Sequence, residues 1–179
     1  MQCAFSVDDI SSEGGLISKV RNLKPEVVFM HTGFQDLHWN KLNAEDLLNK
    51  YKQVIYNLLE STTAQLCISL IVPVPGYPRL DEEIKLFNDL ISSFLGKLRS
   101  DKKYRSRIFS SCNNRLGGFI TRETGKHGIR LFLSEKGQRK AWLLMKDALH
   151  RTLNGKRSVR DTRPSQLDYK HTKDSIEDE

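Results

Sequence analysis

Apolar positions along this chain follow two alternating rhythms. Short unbroken runs are separated by longer stretches in which apolar residues recur every three or four positions. The runs "EVVFMH" (26–31) and "QLCISLIV" (65–72) predict strands covered on both faces, as in a parallel sheet, and "RIFSSC" (107–112) predicts a third. "CAFSV" (3–7) reads as a short strand ahead of them.

The longer stretches predict helices. "SSEGGLISKVRNL" carries Leu16, Ile17 and Val20 at helical spacing, starts weakly at Gly14-Gly15, and stops at Lys24-Pro25, where proline pushes its predecessor out of the helical region. "NAEDLLNKYKQVIYNLLES" (43–61) is the clearest helix, with Asn43 as cap, Glu45 and Asp46 in its first turn, and a stripe of Leu47, Leu48, Tyr51, Val54, Ile55, Leu58 and Leu59. "LDEEIKLFNDLISSFLGKL" (80–98) predicts a helix capped by Asp81. A last helix, 134–153, has Ser134 as cap and Trp142, Met145 and Leu149 on its expected buried stripe. "PVPGYPR" (73–79) and "NNRLGGFITRETGKHG" (113–128) read as loops. The polar, unpatterned residues 155–179 read as a disordered tail. Strands alternating with helices predict a three-layer, flavodoxin-like α/β domain over residues 1–154, with a parallel sheet between helices.

Composition narrows the class. The mean hydropathy is −0.51, and the longest apolar run, "CISLIVPV", is broken by Ser69 and Pro73, too short for a bilayer span. The N-terminus lacks the basic flank and apolar core of a signal peptide. Cys3, Cys67 and Cys112 lie outside metal-ligand spacing of one another, and an odd count does not suggest a disulfide framework. No metal or other cofactor is expected. These features fit a reducing, cytoplasmic setting.

The net charge of +7 favours an anionic partner, and its distribution matters more than its sum. "KLRSDKKYRSR" (97–107) holds Lys97, Arg99, Lys102, Lys103, Arg105 and Arg107 against one acid, and Arg115, Arg122, Lys126 and Arg130 follow within the next loop and strand. Six cations in eleven residues exceed what a helix C-terminus needs, so these ten residues are the candidate set for phosphate of an anionic partner such as RNA, DNA or membrane headgroups. Tyr104 among them reads as packing and Trp142 as core.

The stretches expected at the carboxyl ends of the strands carry a resemblance. A strand ending in Gly-x-Asn-Asp-Leu, a strand ending in Pro-x-Pro, and a late Asp-x-x-His-Leu-Ser-x-x-Gly before a helix mark the SGNH (GDSL-type) hydrolases. Here "HTGFQDL", "PVPGYPR" and "GIRLFLSEKG" stand in the same order. The resemblance implies acyl-transfer chemistry from a serine nucleophile, glycine and asparagine oxyanion donors, and an Asp–His pair. Carried over residue by residue, Gly33 matches the glycine and Gln35 stands at the asparagine. Aligning Ser134 and Gly137 puts Phe132 at the histidine and Ile129 at the aspartate, and neither can carry a proton. His127 and Arg130 are near, but a one-residue slip along a strand turns a side chain to the other face. No Gly-Asp-Ser motif is found, so the family's first strand is expected to be missing from this chain.

Among SGNH-like proteins without the triad, "PEVVFMHTGFQDL", "GIRLFLSEKGQRKAW" and the basic second half resemble the C-terminal domain of the Oskar family. That resemblance implies a cytoplasmic RNA-binding domain, not an enzyme, with mRNA and germ-plasm proteins as partners and no membrane contact. Two other readings stay open: an SGNH-type esterase with its serine upstream, and a protein-interaction scaffold. Gln35-Asp36 can be a residual oxyanion corner or a loop tie to the backbone. His31 and His38 read as structural, because no acid or cysteine sits at ligand spacing.

Overall fold

A computed structural model describes residues 7, 16–39, 41–125 and 128–154. Helix α1 (Leu16–Leu23) leads to strand β1 (Val27–Met30), short helix α2 (Phe34–His38) and helix α3 (Ala44–Ser61). Strand β2 (Gln65–Ser69), helix α4 (Pro78–Ser100) and strand β3 (Ile108–Ser111) follow. A 3-10 helix (Asn114–Phe119), strands β4 (Ile120–Gly125) and β5 (Gly128–Leu133), and helix α5 (Glu135–Leu153) complete the order.

Strands β1, β2 and β3 form a parallel sheet in sequential order, with Val28 opposite Leu66 and Leu66 opposite Ile108. Side chains alternate across it. Val28, Met30, Leu66, Ile68 and Ile108 point into the main core against α1, α3 and α4, where Tyr51, Ile55, Phe87, Ile91 and Leu95 are buried. Val27, Phe29, Cys67 and Phe109 point the other way and meet Ala148 of α5. Helices thus cover both faces, as the alternating pattern predicts.

Local chemistry sets most helix starts. Asn43 Oδ1 accepts the Asp46 amide at 2.8 Å to cap α3, and Ser134 Oγ accepts the Gly137 amide at 3.3 Å to cap α5. Helix α4 departs from the expected start. It begins at Pro78, and Asp81 instead accepts the Val74 amide at 3.0 Å and pairs with Lys85 at 2.7 Å. Proline at the first helical position has no amide to satisfy, so it can open the helix earlier than the apolar pattern indicates.

Two further expectations are corrected. The loop expected over 113–128 is a 3-10 helix followed by the antiparallel β4–β5 hairpin, paired from Ile120–Leu133 to Gly125–Gly128. Trp142 is not core: it is 56% exposed. Helix α5 buries Gly137, Ala148 and Thr152, which share one face because 11 and 4 residues are near-whole turns. Small residues face inward there because the helix lies close: a Cβ on Gly137 would fall 2.6 Å from Phe119 Cβ. The strand expected over 3–7, Val7 apart, and the tail 155–179 lie outside the described residues.

Candidate functional site

The parallel sheet presents its carboxyl edge at His31, just past β1, Ser69, the last residue of β2, and Asn113, two residues past β3. In open α/β sheets that edge is where sites form. The three side chains meet. Asn113 Nδ2 donates to Ser69 Oγ at 2.5 Å and to the Leu70 carbonyl at 3.0 Å, and His31 Nδ1 lies 2.9 Å from the same Ser69 Oγ. With its oxygen taken by Asn113, the Ser69 hydroxyl is placed to donate to Nδ1. That arrangement suits the neutral imidazole with its proton on Nε2.

Ser69 is 1% exposed, so in this arrangement the trio ties three strand ends together. The ring's inward side is desolvated, and this burial lowers the His31 pKa below its ordinary value. A histidine with a lowered folded-state pKa binds fewer protons folded than unfolded. Its contribution to stability is therefore complete above the unfolded value of about 6.5 and is lost as pH falls through the folded pKa. The urea midpoint should fall on acidification from neutral pH, and His31→Gln should flatten that dependence. An unchanged slope in the variant contradicts this assignment.

The loop after β1 is anchored to the core. Gly33 takes φ 96, and a Cβ there would approach Ile71 Cδ1 at 3.0 Å, so glycine alone fits without strain. Tyr51 Oη donates to the Thr32 carbonyl at 2.8 Å, and burial, with the Asp36 charge second, raises its pKa. Asp36 has no exposed surface, and its carboxylate accepts the Val7 amide at 3.2 Å. That is the backbone tie, one of the two readings open for Gln35-Asp36. Phe132 lies on β5, 44% exposed and opposite Thr121.

The ten candidate cations separate by what they touch. Arg107 is bound inward: Nη1 donates to the Leu59 carbonyl at 2.8 Å, Nη2 to Thr62 at 2.7 Å and Ala64 at 2.9 Å, and Nε to Ala64 at 3.1 Å. Arg99 Nε donates to the Ile108 carbonyl at 3.2 Å and Nη2 to Ser110 Oγ at 2.6 Å. Lys103 meets Glu60 at 2.7 Å, and buried Tyr104 donates its hydroxyl to the same carboxylate, as its packing role predicts. The hydrogen bonds from Lys103 and Tyr104 hold the Glu60 carboxyl below its ordinary range.

Lys97, Lys102 and Arg105 remain exposed at the end of α4 and in the turn beyond it, and neither lysine has an acidic partner among the described residues. Arg122 is exposed and lies 4.8 Å over the Tyr77 ring. Lys126, with His127, and the side chains of Arg115, Ile129 and Arg130 lie outside the described residues. No group of three or more His, Cys, Asp or Glu side chains suited to a metal occurs among the described residues, and no described helix is long and apolar enough to cross a membrane.

No family model matches the chain, and no curated protein matches it. Its architecture matches the crystal structure of a carbohydrate esterase family 3 from Talaromyces cellulolyticus, with a TM-score of 0.63 over 84% of this chain and 69% of that one. The chain shares the α/β fold of that esterase, a parallel sheet between helices. At 18% identity the likeness is one of fold. It agrees with the expected flavodoxin-like α/β class. It also corrects the expectation that the chain is not an enzyme: the matched protein is an esterase, so Phe132 and Ile129 at two aligned positions do not set hydrolysis aside.

Sequence reasoning missed Ser69 and Asn113. Asn113, a polar residue just past the predicted strand 107–112, carries a signal that could have found it, whereas Ser69 lies inside the apolar run 65–72 and carries none.

Proposed function

We propose that the chain binds RNA through the exposed cations at the C-terminal end of α4, on an SGNH-like hydrolase fold. The observation that carries this reading is the exposure of Lys97, Lys102 and Arg105 at the end of α4 and in the turn directly after it, the lysines without acidic partners among the described residues. The net charge of +7 adds a long-range attraction for phosphate. The resemblance to the Oskar family supports a cytoplasmic, mRNA-bound role among germ-plasm proteins.

Cations at a helix C-terminus also complement the helix dipole, but three on one exposed end offer more charge than that needs. Each phosphate they neutralise releases counterions, so affinity rests on charge rather than on a base-reading pocket. The test is anisotropy with a labelled single-stranded RNA. Lys97→Glu/Lys102→Glu/Arg105→Glu should weaken binding at least about tenfold. Unchanged affinity overturns the assignment.

A second reading, ester hydrolysis, is favoured by the esterase whose fold this chain shares. It predicts covalent labelling by a serine-directed fluorophosphonate, and absence of labelling removes it.

A further inference from the structure

Helices α3 and α4 each start past the carboxyl end of a parallel strand, so both end at the opposite edge of the sheet from His31, Ser69 and Asn113. Three aromatic rings meet toward those helix ends. Tyr56 of α3 lies 5.7 Å from Phe94 of α4 and 6.5 Å from Tyr104 in the turn beyond it, centroid to centroid. Phe94 and Tyr104 are buried, whereas Tyr56 is 42% exposed. We propose that Tyr56 is a stacking platform for an unpaired base of single-stranded RNA, with the lysines around it holding the neighbouring phosphates. This inference rests on the RNA reading and adds a base contact that the cations of 97–107 do not themselves supply.

The placement of Tyr56 is the first observation. The buried stripe of α3 runs through Tyr51, Val54, Ile55 and Leu58, and Tyr56 stands outside it. The core therefore does not require an aromatic there. The ring is nonetheless held: Phe94 and Tyr104 meet it at 75° and 67°, and Tyr104 is tied back to α3 by its hydroxyl bond to Glu60. Neither neighbour lies flat against Tyr56, as a stacked base would.

Charge is the second observation. Lys52 precedes Tyr56 by one helical turn, and its Nζ lies 5.9 Å over the Phe94 ring. Lys103 Nζ lies 5.0 Å over the Tyr104 ring. Cations thus sit on both rings that hold Tyr56. Lys97 follows Phe94 by one turn, and Lys102 precedes Lys103 in the turn beyond α4. Two carboxylates face the same ground. Glu60, one turn after Tyr56, pairs with Lys103 at 2.7 Å, and Asp101 accepts the Lys103 amide at 2.8 Å. With Glu60 and Lys103 taken as one neutral pair, Lys52, Lys97 and Lys102 stand against Asp101.

A fixed, open aromatic ring amid surplus cations matches the two faces of a nucleotide, a flat base and an anionic phosphate. Every base has a π-face, so such a contact tolerates any sequence and adds to the charge without reading base edges. In a duplex those faces are buried in the stack, so a duplex would meet the lysines only.

Fluorescence anisotropy with two labelled strands of equal length and charge tests this, one an oligouridine and the other an abasic ribose-phosphate strand. The parent chain should bind the oligouridine at least about fivefold more tightly. Tyr56→Leu keeps an apolar side chain without a π-face and should erase that preference, while Tyr56→Phe should retain it. Thermal unfolding checks that both variants are folded, and the comparison of strands in the parent chain needs no variant. Lys97→Glu/Lys102→Glu/Arg105→Glu should weaken both strands alike and leave their ratio unchanged. Equal binding of the two strands by the parent chain, or a preference that survives Tyr56→Leu, overturns the platform while leaving the cation reading intact. Binding of neither strand overturns both.

Discussion

Arg107→Ala is expected to lower stability by about 3 kcal/mol, because it strips partners from carbonyls at the junction of α3 and β2. The guanidinium donates to Leu59, Thr62 and Ala64, the last carbonyls of α3 and the turn into β2. Helix C-termini leave carbonyls without intrahelical donors, and here one planar fork serves them. In a chain of this size the loss should move the thermal midpoint down by roughly 6–12 °C. Arg107→Lys should recover only part, since an ammonium cannot span the same fork. Lys97→Ala and Lys102→Ala should each stay within about 0.5 kcal/mol. Equal, small effects at all three positions would show that Arg107 is a surface cation like the others.

Asn88→Ala should cost a comparable amount, about 3 kcal/mol. Asn88 is buried on α4 and clasps one residue of the loop after β2: its Oδ1 accepts the Ile71 amide and its Nδ2 donates to the Ile71 carbonyl, each at 2.9 Å. An amide side chain here does what a neighbouring strand would do. Without it a buried amide and a buried carbonyl lose their partners together. Asn88→Asp retains an acceptor but turns a second lone pair toward the carbonyl, so it should not rescue. Urea unfolding of the two variants checks this, and a loss below about 1 kcal/mol would contradict the clasp.

These two residues show where the sequence could be read and where it could not. The parallel strands and long helices were legible because burial imposes a pattern: β1 is an unbroken apolar run, β2 lies in one interrupted only by Ser69, and α3 repeats its apolar residues every three to four positions. Asn88 falls on that same helical stripe of α4 but looks like an interruption of it, since a pattern does not say which backbone group lies opposite. The six cations of 97–107 look alike in sequence, yet Arg99 and Arg107 turn inward while Lys97 and Lys102 do not, a difference set by carbonyls from segments far along the chain.

The β4–β5 hairpin was obscured by its own composition. "FITRET" and "GIRLFL" alternate acceptably, but the glycines and charges between them look like loop, and the pairing energy comes from across the turn. Trp142 was misplaced for the opposite reason. A large aromatic draws the eye to the wrong stripe, while α5 packs through glycine, alanine and threonine because close approach leaves no room for more. At the site, the strand-end position of His31 was legible and its partners were not: Ser69 and Asn113 come from two other strands.

The most direct test of RNA binding through the α4 cations is the salt dependence of affinity for one single-stranded RNA. The logarithm of the association constant should fall linearly with the logarithm of salt concentration. Charge reversal at Lys97, Lys102 and Arg105 should reduce that slope by about 2, as expected for three phosphate contacts on a single strand. A slope that is near zero in the parent chain, or unchanged in the variant, would contradict the account.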